Sequence, residues 1–189
     1  MAQVSERGPR ADALRNRARL LAAASKLFVE RGPDVPFVDI AKAAGVGVGT
    51  IYRHFPTREA LIEAAYRSEL DAVCEAASEL LRTLPPDRAL RGWMDRFMEY
   101  VSTKVGMSEA IKVVVTAGGN PFAESRERLS EAMRTLLSAT AEAGVTKPGI
   151  DPDDVLLALS GVAMAAATAD RERADRMIDL LYEGLRTHD

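Results

Sequence analysis

A chain of 189 residues, 47 % hydrophobic but only 5 % aromatic, has room for one medium domain or for a small domain fused to a larger one. Its apolar content is mostly Ala and Leu, which favours helices over sheets. A single cysteine, Cys74, excludes an intrachain disulfide and a cysteine zinc cluster, and two histidines make a histidine metal site unexpected.

The net charge of -3 hides an uneven split. Residues 1–60 hold ten Lys/Arg and six Asp/Glu, a balance of +4; residues 61–189 hold fifteen and twenty-two, a balance of -7. A basic head on an acidic body points to a polyanionic partner for the head alone. Met1–Arg17 lacks the apolar core of a secretory leader, and no apolar run approaches the ~20 residues of a membrane span. A cytoplasmic protein with no membrane association is expected.

In chain order, Met1–Arg10 reads as a basic arm with a Gly8-Pro9 breaker, and residues 1–11 are expected to be disordered. Leu14, Ala18, Leu21, Ala24 and Phe28 then recur at helical spacing until Gly32-Pro33. Val38–Ala44 is a short helix ended by Gly45; Val46–Val48 is a tight turn; a second short helix runs to Phe55. Thr57 is placed to cap a long helix that carries Leu61, Leu70, Leu80 and Leu81 to Pro85-Pro86. Leu90, Trp93, Met94, Phe97 and Val101 mark the next helix, and Ser108 is expected to cap another that ends at Gly118-Gly119. Leu129, Met133, Leu136, Leu137 and Thr140 mark a helix closed by Gly144. Asp151-Pro152-Asp153-Asp154 reads as an N-cap, an N1 proline and first-turn acids, and Met177, Ile178, Leu181 and Leu185 carry the last helix. The fold class is all-α with about nine helices. Residues 1–56 are expected to form one domain and residues 57–189 another.

The segment Val38–Phe55 is the most informative. Ala41 is small where two crossing helices would touch, Gly45 is free to take the positive φ of the turn, and Ile40, Val46 and Ile51 would fill the space between them. The second helix then presents Thr50, Tyr52, Arg53 and His54, donors suited to phosphates and base edges. Followed by Thr57-Arg58-Glu59-Ala60-Leu61, the segment resembles the TetR family of repressors. The family pattern is an Ile-Ala-x-x-Ala-Gly-Val turn, then Gly-Thr-hydrophobic-Tyr-x-His-Phe, then a basic residue before an acid and Leu. Arg58 stands where the family usually has Lys. The body resembles a subgroup of such regulators common in actinobacteria, through Trp93, Tyr100, the Lys104–Met107 segment and Asp151–Leu185.

The resemblance implies a DNA-binding head on a ligand-responsive, dimerising body. It gives Thr50, Tyr52, His54 and Arg58 phosphate contacts, Val48, Gly49 and Arg53 base contacts, and Lys42 a reach to the DNA backbone. Gly47 and Gly49 leave little side chain at the front of the recognition helix, so readout is expected to lean on Arg53, the arm or close backbone approach. Phe55 is read as core, and Tyr52 as ring packed and hydroxyl outward. His188 is read as inert and Cys74 as a buried small hydrophobe.

In the body, Trp93, Met94, Phe97, Met98, Tyr100, Met133 and Met164 are candidate lining of an apolar effector pocket, against the competing reading of a solid Met-rich core. The expected partners are a palindromic double-stranded DNA operator, a second copy through residues 151–186, and an apolar small molecule. Neither cofactor nor metal is expected. No Ser-His-Asp order, phosphate loop or paired-carboxylate motif supports an enzyme, and Gly45-x-Gly47-x-Gly49 has no strand before it. An enzyme on the helical body and a constitutive DNA-binding scaffold are the alternatives.

Overall fold

The computed structural model describes residues 9–166 and 171–187. Nine helices occur among them: α1 Pro9–Arg31, α2 Phe37–Ala44, α3 Val48–His54, α4 Arg58–Thr83, α5 Pro86–Gly106, α6 Ser108–Thr116, α7 Ser125–Glu142, α8 Pro152–Ala166 and α9 Arg171–Leu185. The only β-type pairing among these residues is an isolated antiparallel bridge between Thr146 and Arg186.

The chain forms two compact units. One comprises Met1–Ser68 and Gly106–Pro121, the other Glu69–Val105 and Phe122–Asp189. A single cut after residue 56 therefore does not describe the packing, because α6, far along the chain, belongs with α1–α3. The reason lies in α6 itself: Met107, Ala110, Ile111 and Val114 are buried, an i, i+3, i+4, i+7 stripe with no polar interruption. At its entrance Gly106 is tightly seated, since a Cβ there would lie 2.7 Å from a methyl of Val29 on α1.

In the first unit, α1 buries Leu20, Leu21, Ala24 and Phe28. Leu14, expected to begin that stripe, is 64 % exposed. The helix opens at Pro9, so residues 9–11, expected in the arm, are helical, and a proline in the first turn sacrifices no hydrogen bond. The remainder of the expected arm, with Arg7, lies outside the described residues.

α2 packs on α1 and α3 on α2. Gly45 ends α2 at φ 65°, a left-handed conformation costly for residues with a Cβ, and the Val46 N–H then bonds back to the Ala41 carbonyl at 3.0 Å. Ile40, Ala41 and Ile51 are buried as expected, with Val46 half-buried. Thr57 caps α4 through the Ala60 N–H at 3.2 Å.

In the second unit, the Trp93 indole N–H donates to the Val73 carbonyl at 2.8 Å, and the Trp93 and Phe97 rings stack at 5.5 Å. α7 packs on α8 and α8 on α9. Asp151 caps α8, accepting from the Asp153 N–H at 2.8 Å. Ser108 opens α6 without capping it; the N-cap position falls on Met107. Thr187 closes the described chain, its N–H bonded to the Val145 carbonyl at 3.0 Å. His188, Thr168 and Asp170 lie outside the described residues.

Candidate nucleic-acid interface

Seven-residue α3 buries one side chain, Ile51, and turns the rest outward. Val48, Tyr52, Arg53 and His54 are exposed, Thr50 is half-buried, and Lys42 is exposed on α2. A Cβ placed on Gly47 or Gly49 would meet nothing within 4 Å. Packing therefore does not demand glycine at either position, and both leave open backbone at the front of α3. Arg53 folds along its own helix, its Nε donating to the Gly49 carbonyl at 3.2 Å and its Nη2 to the Thr50 hydroxyl at 3.4 Å.

Tyr52 is 58 % exposed, yet its ring lies 5.2 Å from that of buried Phe37. Phe37 is in turn covered by the Arg58 guanidinium, 5.4 Å from the ring centroid. Arg58 also donates from Nη1 to the carbonyls of Pro33 and Val35, the second at 2.7 Å. Half-buried Arg58 thus ties the loop before α2 to the first turn of α4, and its Nη1 is committed to the protein's own backbone. Sequence reasoning passed over Phe37, whose role emerges only when two distant segments meet on its ring.

Two arginines of α1 also reach this region. Arg17 stands over the Phe55 ring, 5.3 Å from its centroid, and Phe55 directly follows α3. His54 touches the same ring, with centroids 6.2 Å apart. Arg19 lies at the turn between α2 and α3: a Cβ on Gly45 would be 3.7 Å from its Nη1. Its Nη2 donates to the Asn16 side chain at 2.6 Å. Both arginines are exposed. Three acids of this stretch are paired with other cations, Asp12 with Arg15, Glu30 with Lys26 and Asp39 with Arg31. Neither Arg17 nor Arg19 has a carboxylate partner among the described residues.

The expected pocket residues of the second unit sort differently. Trp93, Met94, Phe97, Tyr100 and Met133 are buried and Met98 is half-buried. Met164 is 73 % exposed, so the expectation that it closes a cavity is corrected: it stands on the outer side of α8. A surface cleft of about 590 Å³ in this unit contains none of those residues; Phe122, Arg126, Ser130, Arg134 and Asp153 are among its lining. Charged side chains and apolar ones such as Phe122 share its lining, and it is crossed by an Arg126–Asp153 ion pair at 2.7 Å and a Ser130–Asp153 hydrogen bond. The Ser130 hydroxyl and the Arg126 guanidinium hold the Asp153 carboxyl below its ordinary range. Cys74 is half-buried rather than buried; burial pushes its thiol up, against the opposing pull of Arg128.

No group of metal-ligating side chains occurs among the described residues, and no helix among them is long and apolar enough to cross a membrane.

Two crossed short helices with an exposed polar second helix, set on a helical body, define a helix-turn-helix transcriptional regulator. The comparisons name the family. Residues 20–65 match the bacterial regulatory proteins of the tetR family, and residues 85–187 match the C-terminal domain of SbtR-like transcriptional regulators. The chain belongs to the TetR family. It is similar to the TetR transcriptional regulator SCO0520 from Streptomyces coelicolor, at 45 % identity and TM-score 0.88, covering 92 % of this chain and 99 % of that one. A TetR regulatory protein from Mycobacterium vanbaalenii matches at 30 % identity and TM-score 0.78, covering 95 % and 100 %. The HTH-type transcriptional activator FasR of Mycolicibacterium smegmatis is 32 % identical over 99 residues, 51 % of this chain and 45 % of FasR. The chain thus spans under half the length of that relative.

Proposed function

We propose that the protein is a homodimeric repressor that binds a palindromic operator through two copies of α3 and leaves it when an apolar small molecule enters the body. The observation that carries this reading is the outward face of α3, where Val48, Tyr52, Arg53 and His54 are exposed while Ile51 alone is buried. Thr50, Tyr52 and His54 contact phosphates, which position the head. Arg53, with Val48 and the open backbone at Gly49, faces base edges, which specify it. Lys42 reaches the DNA backbone from α2. Arg58, bound to two carbonyls, acts by holding Phe37 under Tyr52.

Dimerisation uses residues 151–186. Leu157 and Met164 on α8 are each 73 % exposed and Leu180 on α9 is 75 % exposed. Ala158, Gly161 and Ala165 lie exposed on α8 beside those side chains. Small residues let helices approach closely, and a partner removes the apolar side chains from water. Two-fold pairing sets the recognition helices ~34–36 Å apart, one turn of DNA.

The effector lodges beside Phe97, Met98 and Tyr100. Trp93, Met94 and Met133 form the wall behind, and Lys104 supplies a polar group nearby. It binds the DNA-free conformation more tightly, since equal affinity for both conformations shifts nothing; a ten-fold preference is ~1.4 kcal/mol.

Selection of bound duplexes from a random pool, with light scattering on the free protein, tests the reading. The expected outcome is a palindromic consensus and a dimer, with Arg53→Ala relaxing preference at specific base pairs by ~1–3 kcal/mol. A monomer, or no enriched sequence, overturns it. A reporter driven from the selected site is expected to rise when the gene is deleted; a fall would make the protein an activator.

A further inference from the structure

We infer that Arg17 and Arg19 of α1 form a second DNA-backbone contact set that brackets the recognition helix, a surface that the helix-turn-helix motif does not include. The inference rests on the DNA-binding reading above and extends its footprint.

Three observations meet here. First, the two guanidinium groups sit at the two ends of α3. Arg19 lies at the Gly45 turn that precedes it, and Arg17 stands over Phe55, the residue that follows it. Second, both are held there by uncharged groups, the Asn16 amide oxygen for Arg19 and the Phe55 ring for Arg17. A ring face orients a guanidinium without neutralising it. Third, both are exposed and lack a carboxylate partner among the described residues, while neighbouring Arg15, Lys26 and Arg31 are ion-paired. Asp12, the one acid in the first turn of α1, pairs with Arg15 and leaves these two charges free.

What such charges meet follows from dimensions. α3 is seven residues long, ~10 Å at 1.5 Å per residue. The major groove is ~12 Å wide and walled by phosphates. Cations that flank α3, one at the turn before it and one over the residue after it, lie beside the phosphate walls when α3 enters the groove. The predicted contacts are thus to phosphate and carry no sequence information. They also take over a role that Arg58, with Nη1 committed to Pro33 and Val35, is poorly placed to fill.

The test is the salt dependence of binding by the full-length protein, followed by fluorescence anisotropy on two labelled 30-bp duplexes, one of random sequence and one carrying the selected consensus. Each neutralised phosphate contributes ~0.9 to the slope of log K against log salt. Arg17→Gln and Arg19→Gln should each flatten that slope by about one unit per protomer on both duplexes. Each lost contact should weaken binding roughly ten-fold at 100 mM salt. Arg17→Lys, which keeps the charge, should retain the wild-type slope. Wild-type slopes in both Gln variants overturn the inference, as does a loss of affinity at unchanged slope, which would mean that Arg17 only packs on Phe55. If those slopes are unchanged while Arg53→Ala still relaxes the consensus, only the α1 contacts fail. If the wild-type protein binds neither duplex, the DNA reading fails with them.

Discussion

The two units expose different chemistry. In the first, exposed donors gather on and around α3, Tyr52, Arg53 and His54 on α3 itself with Arg17 and Arg19 on α1, among apolar side chains such as Leu14 and Val38. In the second, Leu157, Met164 and Leu180 stand more than 70 % exposed on α8 and α9. Polar donors left in water cost little and wait for a polyanion, whereas large apolar groups left in water imply a partner that covers them. One chain thus displays two unfinished surfaces, and the chemistry of each states what completes it.

The sharpest way to break that contrast is to make the α8–α9 face polar. Leu157→Glu with Leu180→Glu puts four acids across a two-fold seam in place of leucines whose burial contributes ~1.5–3 kcal/mol each. The expected result is a monomer by light scattering at micromolar concentration. Operator affinity should fall on the order of a thousand-fold, because the second head no longer binds intramolecularly. A dimer that persists places the seam elsewhere.

Next in size is Trp93→Ala. A fully buried indole that stacks on Phe97 and bonds to the Val73 carbonyl behaves as core, and its truncation should cost ~3–5 kcal/mol in urea denaturation. A loss below ~1 kcal/mol would instead favour a loosely filled cavity at this place. Gly45→Val should cost ~1–3 kcal/mol, since a β-branched residue resists the left-handed turn. The thermal midpoint reads this, and operator binding should weaken in parallel because the same turn aims α3.

The smallest effect separates a reactive thiol from a quiet one. Burial holds the Cys74 thiol above its ordinary value, and the thiolate is the nucleophile. Iodoacetamide at pH 8 should therefore modify the folded protein more slowly than the urea-unfolded chain. Faster reaction in the folded state would reverse the assignment.

How much of this was legible in the sequence differs between the units for a physical reason. The helix-turn-helix is local: Ile40, Ala41, Gly45 and Ile51 lie within twelve consecutive residues, so spacing and the demand for positive φ identify it. The Asp151 and Thr57 caps are local in the same sense, and both formed. The tie that Arg58 makes to the loop before α2 is not legible in the sequence, because its partners, Pro33 and Val35, are more than twenty residues away. Met164 was placed inward because composition cannot tell which side of an apolar helix meets its own chain and which meets another. Leu14 continued a periodic pattern past the point where the core of the first unit ends.

The membership of α6 in the first unit bears on how the protein is taken apart. A fragment ending at residue 56, the natural choice for grafting this head onto another sensor, omits Met107, Ala110, Ile111 and Val114, which are buried in the intact protein. It also removes the Gly106 backbone that lies so close to Val29. Chimeras that exchange the head by cutting once should be unstable or poorly soluble, and those that carry Gly106–Pro121 along with Met1–Ser68 should fold. The transferable part is discontinuous in sequence, which limits how freely recombination at a single crossover can pair heads of this kind with new bodies.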